Sequence, residues 1–221
     1  MASNQQQMAP DANPKATFKQ RQIRAYYDEE TITVYQAYNS EIASAAVREQ
    51  KLNASPQFRA RMTWIKPSWS WMMYRAGYSY KDANQERILA LKMRHRDFIS
   101  LLENATLTTH PGKETMNPGI DKPVKEKSTV VKVQWDPERS PRLERLPYRS
   151  IQIGIPGVLA AKWVEEWIVD IEDVTETARA LALELKENLG VTEEELLRKK
   201  LVPLEREFPV PLVVHRAIGM D

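Results

Sequence analysis

Residues 31–38 read TITVYQAY, a β-branched run that places Ile32, Val34 and Gln36 on one face of a strand. The period then lengthens. Asn39 or Ser40 offers an N-cap, and Ile42, Ala45, Ala46 and Glu49 follow helical spacing through residues 41–50. A strand feeding directly into a capped helix sets Gln36, Tyr38 and Asn39 beside a helix N-terminus, which favours anions. Further strands are predicted over 61–65, 87–93, 130–135, 148–153 and 167–171, with helices over 96–104 and 158–166. Lys66-Pro67 ends the strand at 61–65, because the residue before proline is pushed out of the α region. Ser68 then caps a short helix with Trp69, Met72 and Met73 at i, i+3 and i+4, stopped by Gly77. Trp71, Tyr74 and Arg75 fall on a different face of that helix.

Toward the C-terminus the pattern becomes helical. Residues 176–189 form an amphipathic helix, and residues 192–201 a second, opened by the capping box Thr192…Glu195. Residues 203–221, with three prolines, read as an extended segment. Residues 1–18 are rich in Gln, Asn, Pro and Ala, and residues 107–128 carry Pro, Gly and Lys without apolar periodicity. The first is expected to be a disordered leader and the second a long mobile loop, since neither composition buries enough apolar area to offset ordering entropy. The organisation predicted is a leader (1–18), an α+β core domain (19–175) of mixed or antiparallel sheet with flanking helices, and a C-terminal helical hairpin appendage (176–221) packed on it.

Composition narrows the chemistry. The chain has 221 residues, enough to bury a sizeable core, and no apolar run of transmembrane length. No cysteine is present, which excludes disulfides, thiol nucleophiles and thiolate metal sites. His95, His110 and His215 are scattered without ligand spacing, so no metal is expected. No membrane association is expected; a soluble, cytoplasmic protein follows, with the nucleus as the other compartment consistent with these features. GxxxxGK[ST], GxGxxG, HExxH, GxSxG and KxDG are all absent, and seven glycines make a glycine-rich phosphate loop a poor reading. Net charge is only +2 but uneven: residues 55–100 hold nine Lys/Arg against three Asp/Glu, and residues 160–207 seven against thirteen. The basic half is the expected side for a phosphate-bearing partner.

That basic half contains RARMTWIKPSWSWMMYRAGYSY, residues 59–80, with Trp64, Trp69 and Trp71 among Arg59, Arg61, Lys66 and Arg75. Flat aromatic faces beside cations suit a nucleotide or dinucleotide, or a strand of RNA or DNA. Ordinary core packing explains Trp69, Met72 and Met73. For Arg61, Lys66, Tyr74 and Arg75 a solvated basic face is the alternative to a ligand-facing role.

Several segments together, RQIRAYYD (21–28), TVYQAY (33–38), RMTWIKPSWSWMMYRAGY (61–78), QERILAL (85–91), VQWDPER (133–139), LPYRSIQIG (146–154) and WIVDIEDVT (167–175), resemble a family catalogued as a domain of unknown function, number 4291 in its series. A second resemblance, of pattern, is to the ADP-ribosyltransferase superfamily. There a first strand ends in Tyr followed by His or Arg and a small residue, a second element stacks a Tyr or Ser on nicotinamide, and a late strand supplies a Glu. Tyr35-Gln36-Ala37 is similar to the first element, with Gln36 where the superfamily has His or Arg; Tyr74 stands for the second, and Glu165 or Glu166 for the third. The resemblance implies an ADP-ribosyltransferase-like fold, NAD as cofactor, and a nucleic acid or protein as acceptor. Gln36, Tyr74, Glu165 and Glu166 would then be catalytic. Arg24, Tyr35, Tyr38, Arg61, Lys66, Trp71 and Arg75 would hold the cofactor, with Arg forks suited to pyrophosphate. The rivals are a non-catalytic RNA- or DNA-binding module and another nucleotide-dependent RNA-processing enzyme. A carboxylate facing the aromatic–basic pocket favours catalysis; a basic site without one favours binding.

Overall fold

The computed structural model describes residues 19–108 and 129–220. The expected leader over 1–18 and most of the expected loop, 109–128, lie outside the described residues. In chain order the elements are β1 (Arg24–Ala25), β2 (Thr31–Tyr38), α1 (Ser40–Glu49), β3 (Thr63–Ile65), α2 (Trp69–Ala76), β4 (Arg87–Arg94), α3 (His95–Glu103), β5 (Ala105–Leu107), β6 (Val131–Arg139) and β7 (Arg145–Ile155). Then come α4 (Ala160–Lys162), β8 (Ile168–Asp173), α5 (Thr175–Glu187), α6 (Glu193–Arg198), β9 (Arg206–Glu207) and α7 (Leu212–Ile218).

The fold is α+β, with largely antiparallel sheets of which one is mixed. One sheet is antiparallel in the order β2-β4-β8; a second runs β3-β7-β6-β5, with only the β5–β6 pair parallel; β1 and β9 form a two-stranded ribbon. Among the described residues one backbone bridge joins the two larger sheets. The backbone N–H of Tyr35 donates to the carbonyl of Lys66 at 2.8 Å, and the N–H of Lys66 donates back at 3.3 Å. Beyond this bridge β2 and β3 separate.

Local chemistry explains the elements nearest that seam. Asn39 caps α1 by accepting from the Ile42 N–H, and Ser68 caps α2 by accepting from the Trp71 N–H. Gly77 closes α2 in the left-handed region at φ 54°, where glycine avoids the Cβ penalty. Most apolar side chains predicted inward are buried, including Ile32, Val34, Trp69, Met72 and Met73. One apolar cluster lies between the sheets and α1, α3 and α7; a smaller one lies where α2, α5 and α6 cover the outer side of β2 and β4.

Three expectations are corrected. The strand predicted at 130–135 continues to Arg139 through Pro137. Proline is tolerated because, among the described residues, β5 pairs only with Val131–Val133 and leaves β6 an edge beyond them, and a register shift follows at Pro137/Arg139. The helix predicted at 158–166 is a 3₁₀ turn, a single α turn and a π turn over Trp163–Trp167. The C-terminal segment is not merely extended: β9 pairs with β1, and α7 packs on α3 and β5. Phe208, Val214 and Ile218 belong to the main core, and the Trp135 indole N–H donates to the Ile218 carbonyl at 2.7 Å.

Candidate anion-binding site

Where β2 and β3 part, the chain leaves a cavity of about 700 Å³. Gln36 braces its floor. Its amide nitrogen donates to the Thr63 hydroxyl at 2.6 Å and to the Trp64 carbonyl at 3.3 Å, and its oxygen accepts from the Tyr38 hydroxyl at 2.9 Å. A buried amide costs free energy unless it is bonded. Gln36 meets that requirement by spanning the gap that the missing strand pairing leaves.

Cations line the cavity. Arg59, Arg61, Lys66 and Arg75 all contribute, and no lining residue is acidic. Arg61 and Arg75 are exposed and form no salt bridge among the described residues. Lys66 is different: it is 7 % exposed, and its amine donates to the Trp64 carbonyl at 3.1 Å. Burial pulls its pKa down to about 7, helped by the Arg75 charge and opposed by Asp136. Tyr38 also lines the cavity, and burial raises its hydroxyl well above the usual tyrosine value.

The α1 N-terminus is already occupied. The Ser40 N–H donates to the Glu86 carboxylate at 2.9 Å, and the Asn39 side chain takes the Ile42 N–H. The helix end expected to receive an anion therefore holds its own carboxylate, and attraction for a ligand rests on the side-chain cations.

The structure brings together Gln36, Tyr38, Arg61, Lys66 and Arg75 of the residues singled out from sequence. Others lie elsewhere. Tyr35 turns to the opposite side of β2, packs edge-on against Trp69 with centroids 5.2 Å apart, and lines a second cavity of about 630 Å³. Trp71 is 5 % exposed and stacks on Tyr74; the Arg139 guanidinium covers the Tyr74 ring at 3.9 Å. Arg24 lies over the Tyr148 ring at 4.0 Å. Glu165 is exposed and bonded to Lys51 and Asn53, both at 2.9 Å; Glu166 is exposed beside it. None of Arg24, Tyr35, Trp71, Tyr74, Glu165 or Glu166 lines the cationic cavity.

Residues 22–208 match the family model described as Domain of unknown function (DUF4291), covering most of the chain. The chain belongs to the DUF4291 family. No curated protein matches it. Within the matched region of this DUF4291 chain, the cavity's cations and Gln36 all fall between residues 36 and 75; Gln36, Arg61, Lys66 and Arg75 lie inside two of the segments on which the resemblance rested, and Arg59 lies just ahead of the second.

Gln57 and Phe58, from the loop after α1, and Asn84 and Gln85, from the 3₁₀ turn Ala83–Gln85, also line the cavity; none was singled out as a site residue, and only Gln85 fell inside a segment of the family resemblance. A second polar constellation was missed as well. Glu138 is 4 % exposed and accepts from the Ser68 hydroxyl and the Arg139 N–H, both at 2.9 Å. Glu205 accepts from the Trp69 N–H at 2.5 Å. Burial raises both carboxyl pKa values; the Glu138 charge raises Glu205 further, and Arg24 opposes the shift in each. The pair serves the N-terminus of α2 from two distant segments. Its one available signal was Pro137, which marks the irregularity that turns Glu138 inward after Val131, Val133 and Trp135.

Proposed function

We propose that this domain binds the phosphate groups of a nucleotide or dinucleotide in the cavity between β2 and β3. The observation that carries the reading is the lining: four cations, three of them exposed Arg without salt bridges among the described residues, and no carboxylate among the described residues that surround about 700 Å³. That volume falls in the range of small-ligand pockets, roughly 300–1,000 Å³. An oligonucleotide track is less well supported, because Trp69 and Trp71 are buried rather than offered as stacking platforms. Among dinucleotides NAD is the one carried forward. β2 running straight into the capped helix α1, with Gln36 and Tyr38 at the strand end, is similar to the first element of the ADP-ribosyltransferase pattern, and an ADP-ribosyltransferase-like fold is part of this proposal. Cleavage of NAD would also need a carboxylate near the developing cation. Neither Glu165 nor Glu166 lines the cavity, so the lining supports binding ahead of turnover.

Titration calorimetry with ADP, NAD and a ten-nucleotide RNA tests this. ADP or NAD should bind one site, and Arg61→Ala or Arg75→Ala should weaken binding by about ten- to a hundredfold, the loss of a charge-assisted contact worth roughly 1.5–3 kcal/mol. Undiminished affinity in both variants, or binding of RNA alone, would overturn the assignment.

A further inference from the structure

Lys66 stands apart from the other cations in the cavity. A buried lysine ammonium normally faces a carboxylate, and Lys66 forms no salt bridge among the described residues. Its amine has three possible donor hydrogens and, among the described residues, one hydrogen-bond partner, the Trp64 carbonyl. The backbone beneath it is held by the paired bonds to Tyr35 and by Pro67, so the side chain leaves from a rigid seam between two sheets. Arg75 from α2 and Arg61 ahead of β3 line the same cavity, and Asp136 from β6 is the acidic group acting on it. A lysine that is desolvated and crowded by another cation is the environment that activates an amine as a nucleophile.

Resting on the anion-binding reading above, we propose that Lys66 is a nucleophilic amine that condenses with the carbonyl group of a phosphate-bearing ligand held by Arg61 and Arg75. The amine lone pair attacks the carbonyl carbon and the C=O π pair moves to oxygen. The nitrogen loses a proton, the oxygen gains one, and the carbinolamine expels water to leave an imine. No oxidant or reductant is consumed. With the amine pKa brought down to about 7, a large share of the amine is unprotonated near neutrality, whereas an ordinary lysine is almost wholly ammonium.

The probe is pyridoxal 5′-phosphate, an aldehyde carrying a phosphate, added to the full chain and trapped with borohydride across pH 5–10. Peptide mass spectrometry then locates the label. Lys66 should be labelled first, about a hundredfold faster than exposed lysines near pH 7, with a half-maximal rate near that pH. ADP should protect it, and Lys66→Arg should lose this label alone. Label confined to other lysines, or a Lys66 profile with a midpoint near 10, overturns the inference. Calorimetry with ADP on the same sample separates the two claims. If ADP binds and Lys66 stays unmodified, the nucleophile is wrong and the anion site stands. If neither ADP nor the aldehyde binds, both fall.

Discussion

Gln36 and Lys66 lie on either side of the seam between two sheets, and they differ in what their polar groups can reach. The Gln36 amide finds two acceptors and a donor within hydrogen-bond range and becomes a brace. Lys66 finds one carbonyl and a neighbouring guanidinium, so its charge is left at a cost. That cost is a statement about stability. Because the folded pKa is lowered to about 7 from 10.5, the unfolded chain holds more protons between those values, and stability rises with pH across that window. In Lys66→Met this contribution should vanish. Urea titrations at pH 7 and pH 10 should show wild type gaining on the variant by on the order of 1 kcal/mol per pH unit. A constant difference between the two proteins across the range would mean that Lys66 is charged and satisfied.

At the scale of elements, α2 shows how one helix serves two sites. Ser68 opens it, Met72 and Arg75 face the cationic cavity, and Trp69 and Met73 enter the cluster beneath α5 and α6. The sequence placed this cap and the Gly77 stop correctly, because both depend on contacts within a few residues. It grouped Arg75 with Trp71 and Tyr74. The structure instead buries Trp71 against Tyr74 and leaves Arg75 to the cavity, since the width of a helix face is decided by what packs on it. Ser68→Ala removes both the acceptor for the Trp71 N–H and the donor to Glu138. Thermal or urea unfolding should show a loss of about 1–3 kcal/mol, cap loss plus a partly orphaned buried carboxyl. A loss below a few tenths would show that Glu138 is satisfied by its remaining partners.

Across the whole molecule, the C-terminal segment is tied into both the core and the α2 N-terminus. Glu205 reaches back to the Trp69 N–H, and β9 pairs with β1 close by in sequence. The Glu205 carboxyl has a raised folded pKa, so the native state binds more protons than the unfolded chain above the ordinary carboxylate value. Its contribution is fully present below that value and is lost as pH rises through the folded pKa. Glu205→Gln keeps an acceptor for Trp69 without the charge. It should melt above wild type in alkaline buffer and lose that advantage near pH 4; the same offset at both pH values would refute the linkage. Sequence alone was enough for β2, α1, α2, the α6 capping box and the concentration of cations between residues 59 and 75, because periodicity, caps and charge are local properties. Only the tertiary structure decided that β2 and β3 part beyond one bridge, that Tyr35 and Tyr38 face opposite sides, that Glu165 turns to Lys51 and Asn53, and that Glu138 meets the region of Glu205. Each of those depends on pairing between segments far apart in the chain, where a single bulge or a single missing ladder bond changes which face a side chain takes.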